Sequence, residues 1–102
     1  MLQLRPNCEC CDRDLPPEST EARICTFECT FCADCVEHEL QDVCPNCGGG
    51  FERRPIRPAT AWRAGLSLAE RPPSRQRVHL SYSPDEIAAL SARLRDVAPA
   101  ER

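Results

Sequence analysis

Eight of the chain's nine cysteines fall in the order Cys8-x2-Cys11-x13-Cys25-x3-Cys29-x2-Cys32-x2-Cys35-x8-Cys44-x2-Cys47, with Cys10 left over. Eight thiols make two complete tetrahedra. Two residues between paired cysteines let a tight turn aim both sulfurs at one ion at about 2.3 Å, with backbone N–H groups of the turn supporting the thiolates. Cys44-Pro45-Asn46-Cys47-Gly48 is the strongest such knuckle, because proline presets the turn and glycine supplies the unusual backbone angles after it. Cys32-Ala33-Asp34-Cys35 is the second, and it opens a candidate helix.

A cluster of this density is either a disulfide framework or a metal site. The first six residues, Met1 to Pro6, show no positively charged start followed by an apolar run. A cytoplasmic, reducing setting is therefore expected, and disulfides do not persist there. Structural zinc fits best: closed four-cysteine sites leave no open coordination position, and about 50 residues this poor in apolar side chains cannot hold a fold alone. Each bound zinc contributes on the order of 10 kcal/mol, comparable with the stability of a small domain. Iron is the second metal the pattern admits, since Cys-Pro-x-Cys-Gly knuckles also occur in rubredoxin-like sites. One tetrahedron with unrelated spare thiols is the simpler alternative.

The ligand order resembles that of a RING finger, including Phe31 before the fifth ligand, a helix after the sixth and proline after the seventh. Carried over residue by residue, the resemblance implies a cross-brace: Cys8, Cys11, Cys32 and Cys35 hold one zinc, while Cys25, Cys29, Cys44 and Cys47 hold the other. Cys29 then stands where a RING usually has histidine. More closely, Leu4-Arg5-Pro6-Asn7-Cys8-Glu9-Cys10-Cys11-Asp12 together with Glu28-Cys29-Thr30-Phe31-Cys32-Ala33-Asp34-Cys35 resembles the domain of unknown function 1272 family of small bacterial cysteine-rich proteins, over roughly residues 1 to 60. That resemblance implies a bacterial metal module and brings no activity with it. RING folds are associated with ubiquitin transfer, yet Glu9 and Cys10 occupy the apolar first-loop position, no tryptophan lies between Cys35 and Cys44, and Gly48 replaces the basic residue after the last ligand. Ligase activity is not expected, because a fold without the site says little about function.

The fold class that follows is a small metal-stabilised α+β module with a short hairpin and one helix, then an extended arm and a C-terminal helix. The hairpin is expected around residues 22–27, where Ile24 and Phe27 lie. A helix over about residues 33–42 places Val36, Leu40 and Val43 at i, i+4 and i+7. Residues 1–52 form the two-zinc module. Residues 53–82, rich in arginine and proline, read as an arm or linker. Residues 83–98 form an amphipathic helix opened by the capping box Ser83-Pro84-Asp85-Glu86, with Ile87, Leu90 and Leu94 on one face. That face needs a partner: the zinc module, a second copy or another protein.

Charge divides along the chain, at −7 over residues 1–50 and +4 over 51–102. All 13 basic residues are arginine, which we read as GC-rich coding and a bacterial origin. No stretch approaches the roughly 18 apolar residues of a membrane span, so a soluble protein with no membrane partner is expected. No Ser/His/acid arrangement, glycine-rich phosphate loop or open metal site is visible, so no enzyme is expected. Cys10 reads as a packed bystander, His38 as a solvated residue, and His79 has no evident partner.

Two kinds of partner remain. A protein partner fits a rigid acidic module acting as a scaffold. Nucleic acid is the alternative, with Arg53, Arg54, Arg57 and Trp62 as contacts and Arg63, Arg71, Arg75 and Arg77 in support. The simpler account of the arm is that its arginines solvate a linker or fold back on the acidic module.

Overall fold

A computed structural model describes residues 1–102. Ala22–Ile24 (β1) pairs antiparallel with Thr30–Cys32 (β2), placing Ala22 opposite Cys32, Arg23 opposite Phe31 and Ile24 opposite Thr30. Glu52–Arg53 (β3) adds antiparallel to the other edge of β1, so the sheet order is β2-β1-β3. The hairpin is shorter than expected on its first strand. Residues 25–29 form its loop, closed by the Cys25 N–H donating to the Cys29 carbonyl at 3.2 Å, and Phe27 lies in that loop and is exposed.

The helix expected over residues 33–42 is one short segment, Cys35–Leu40, wound as a π-helix. It stops where Gln41 and Asp42 both take left-handed backbone angles, with φ of 51° and 59°. Two consecutive non-glycine residues in that region end any helix, and both N–H groups turn back to the Val36 carbonyl. Asp42 then accepts a hydrogen bond from the Phe51 N–H at 3.0 Å, tying the helix end to the approach to β3.

The core is small and half made of sulfur. Phe31 meets Phe51 edge to face with ring centroids 5.3 Å apart, and Leu15, Leu40 and the buried cysteines surround the pair. So little apolar volume contributes modestly to stability, as the composition implied.

The C-terminal helix, Pro84–Leu94 (α1), has the expected capping box: Ser83 Oγ accepts from the Glu86 N–H while the Glu86 carboxylate accepts from the Ser83 N–H. It ends four residues earlier than the expected 98, and a single 3-10 turn follows at Pro99–Glu101. Its partner is the cysteine module of its own chain. Buried Ser91 donates to the Leu40 carbonyl at 2.9 Å, Arg95 to Gln41 at 2.9 Å, and Arg102 to the carbonyls of Asp42 and Gly48. Gly48 has a φ of +80°, and a Cβ there would come within 3.2 Å of Leu94, so the glycine that ends the last knuckle also admits the helix.

The arm folds back as well. Arg77 pairs with Asp14 at 2.7 Å and Asp12 at 2.9 Å, and His79 shares Asp12. Buried Asn7 exchanges hydrogen bonds with both backbone groups of Val78, and the Leu80 N–H reaches the Glu9 carbonyl. The charge division along the sequence is thus partly resolved by the basic half lying on the acidic one.

Candidate metal centre

Each knuckle brings sulfurs together through its own turn. The Cys11 N–H points at the Cys8 sulfur at 3.5 Å and the Cys35 N–H at the Cys32 sulfur at 3.4 Å. At the other end, the N–H groups of Phe27 and Gly49 point at Cys25 and Cys47 at 3.3 and 3.4 Å. Such N–H···S bonds orient thiolates and partly neutralise them.

The sheet then joins knuckles that are distant in sequence. Cys8, Cys11, Cys32 and Cys35 form one group whose sulfurs all lie within 4.8 Å of one another, and Cys25, Cys44 and Cys47 form a second. The two groups interleave along the chain, because Cys25 lies between Cys11 and Cys32 yet clusters with Cys44 and Cys47. Cys29 stands beside the second group without joining it; burial raises its thiol, with the neighbouring Asn46 opposing and Cys25 adding to the shift. Cys10 is half-buried and outside both groups, and burial raises its thiol, with the neighbouring Cys35 opposing.

The thiols sit where a bare thiolate is costly. Burial pushes Cys8 up to about 11 against the opposing backbone N–H groups. Burial also raises Cys35 and Cys44, and neighbouring sulfurs add to both. Cys11 is lowered: its slight burial raises it, but hydrogen bonds from the Arg13 backbone and the adjacent thiols outweigh that. Converging soft sulfur donors fit a thiophilic metal.

Glu9, which sequence reasoning noted only for occupying a position that is apolar in RING fingers, is the polar hub of the site. It is 3 % exposed. Its Oε2 accepts from the Thr30 N–H at 2.5 Å and from Arg5 Nη1 at 2.9 Å, while Oε1 accepts from Asn46 at 3.3 Å. It therefore links the Cys8–Cys11 loop to β2 and to the Cys44–Cys47 knuckle.

Of the residues considered for a basic contact surface, Arg54 does not belong to any. It is 4 % exposed, and its guanidinium donates to the carbonyls of Arg5, Leu15 and Pro16 at 2.8, 3.2 and 3.0 Å. Arg57 is half-buried and donates to the carbonyls of Leu2 and Arg71. Arg53 on β3 and Trp62 are exposed.

Fold and site define a small cysteine-rich α+β module with two sulfur clusters able to hold metal ions. The chain belongs to the family described as protein of unknown function (DUF1272), whose profile matches residues 1–57. It is 72 % identical over 60 residues to an uncharacterized protein of Rhizobium meliloti (strain 1021), an alignment covering 59 % of this chain and 71 % of the relative. No solved structure matches. The family segment coincides with the cysteine module through β3 and Arg54, so the arm and α1 lie beyond it.

Proposed function

We propose that the chain is a non-catalytic zinc module, RING-like in its cross-brace, whose two structural zinc ions hold a rigid scaffold for a protein partner. The interleaving of the two sulfur clusters carries this reading. Zinc is favoured over iron because all-thiol tetrahedra in so small a core match closed structural sites. Cys29 serves as the fourth ligand of the second ion through a movement of one side chain beside the cluster. The reading assigns no catalysis, since a closed tetrahedron leaves no position for substrate.

A partner surface on such a scaffold exists only while the metal holds the knuckles together. The test is capture of binding proteins with the zinc-loaded chain and with metal-stripped chain as bait. The reading expects a partner retained by the loaded chain alone, and equal capture by both contradicts it. Nucleic acid is the weaker reading, because burial of Arg54 and pairing of Arg77 with Asp12 and Asp14 leave fewer arginines for phosphates.

A further inference from the structure

The molecule exposes six large apolar side chains, Met1 (79 %), Phe27, Ile56, Trp62 (76 %), Leu66 (54 %) and Tyr82, and Met1 and Ile56 meet at the N-terminal end beside Leu2 and Leu4. Hydrogen bonds define that region. Arg57 bridges the Leu2 and Arg71 carbonyls, the Ser74 N–H reaches the Gln3 carbonyl, and the Gln3 N–H reaches Glu28, next to Phe27. From it protrudes a closed loop. The Leu68 N–H joins the Pro58 carbonyl at 2.8 Å, and Arg71 Nε holds the Gly65 carbonyl at 3.3 Å. Residues 59–66 contain Trp62, Leu66, three alanines and Arg63, and no acid.

Several arginines of the arm make no ion pair. Ion pairs occupy Arg5, Arg13, Arg77 and Arg95 elsewhere, whereas Arg53, Arg57, Arg63, Arg71 and Arg75 make none. Between residues 53 and 77 the single acid is Glu70. Its carboxylate lies beside Gly65, yet an exposed tryptophan and leucine on a loop that carries Arg63 and is held by Arg71 suit the boundary between lipid headgroups and acyl chains, where indole is favoured and arginine meets anionic headgroups. A nucleic acid would use Trp62 and the arginines but leave Leu66, Ile56 and Met1 without partners.

We propose that the Trp62 loop attaches the protein peripherally to anionic lipid bilayers, with Trp62 and Leu66 entering the interface and the neighbouring arginines binding headgroups. No helix of the chain is long and apolar enough to cross a membrane, and this mode needs none. It departs from the expectation of no membrane partner, which rested on the lack of a membrane-spanning stretch.

Trp62 is the chain's single tryptophan, so its fluorescence reports the loop directly. The zinc-loaded full chain is mixed with vesicles of phosphatidylcholine plus phosphatidylglycerol, with vesicles of phosphatidylcholine alone, and with oligothymidylate. The proposal expects blue-shifted emission shielded from iodide, and co-sedimentation, with the anionic vesicles only. Arg63→Gln and Arg71→Gln each weaken sedimentation about fivefold, the contribution of one arginine near an anionic surface. Trp62→Ala, at an exposed position remote from the core, weakens it further at unchanged metal content. No co-sedimentation at about 50 mM salt, equal binding to neutral vesicles, or a Trp62 response to oligothymidylate alone overturns it.

Discussion

Replacing Glu9 with alanine removes the one carboxylate that joins the two halves of the metal centre, and the structure sets the size of the effect. The Thr30 N–H, on a residue 1 % exposed, loses its partner, and an orphaned buried donor costs about 1–3 kcal/mol. Breaking a buried ion pair by removing one member costs about 3–5 kcal/mol. The lower end applies here, because the Arg5 side chain is 19 % exposed and recovers some hydration. The Asn46 contact at 3.3 Å adds little. These terms overlap, and a net loss of about 3–4 kcal/mol is a large fraction of a small domain's stability. At about 4–8 °C per kcal/mol, the zinc-loaded variant melts roughly 12–30 °C below wild type. Glu9→Gln keeps the shape and one acceptor and falls between the two. Thermal melts followed by circular dichroism, with zinc in fixed excess, measure the series. A Glu9→Ala midpoint within about 2 °C of wild type refutes the bridging role.

Three further outcomes follow from particular contacts. Arg54→Met keeps the aliphatic volume but leaves the carbonyls of Arg5 and Leu15 without donors, while that of Pro16 keeps the Ser19 N–H. Because it also removes a buried cation whose Nε has no partner, the net cost is about 2–3 kcal/mol in urea unfolding. Ser91→Ala removes one of the two donors to the Leu40 carbonyl, which keeps the Val43 N–H, and costs about 1 kcal/mol, read as increased proteolytic release of the segment after residue 82. Cys10→Ser leaves the metal content unchanged, whereas Cys35→Ser loses one ion; equal loss from both in mass spectra contradicts the division into ligands and a bystander.

The spacing of the cysteines made the site largely legible, since knuckle geometry is local and two-residue gaps permit few alternatives. Cys29 is the informative exception: it terminates the β1–β2 loop, and its side chain stays outside the group of Cys25, Cys44 and Cys47, a placement that no spacing encodes. The capping box of α1 was legible for the same local reason, while the covering of its apolar face depends on Ser91 meeting Leu40 across 51 residues. Composition misplaced Arg54. Within a run of arginine and proline it reads as solvated, but the turn out of β3 aims it under residues 5–16, where three carbonyls replace water. Glu9 was assigned no bridging role because a lone acid in an acidic segment gives no signal; a partner 37 residues away gives it meaning. The short π-helix escaped because apolar spacing registers a helix without its winding, and the left-handed angles at Gln41 and Asp42 follow from tertiary contacts.

The central claim is two zinc ions in interleaved thiolate sites, and native mass spectrometry of untagged protein, purified reduced and without chelator, tests it most directly. The account predicts two zinc ions per chain in the wild type. It also predicts that Cys8→Ser and Cys44→Ser each retain one, and that the double variant retains none. One ion per chain in the wild type, or iron in place of zinc, contradicts it.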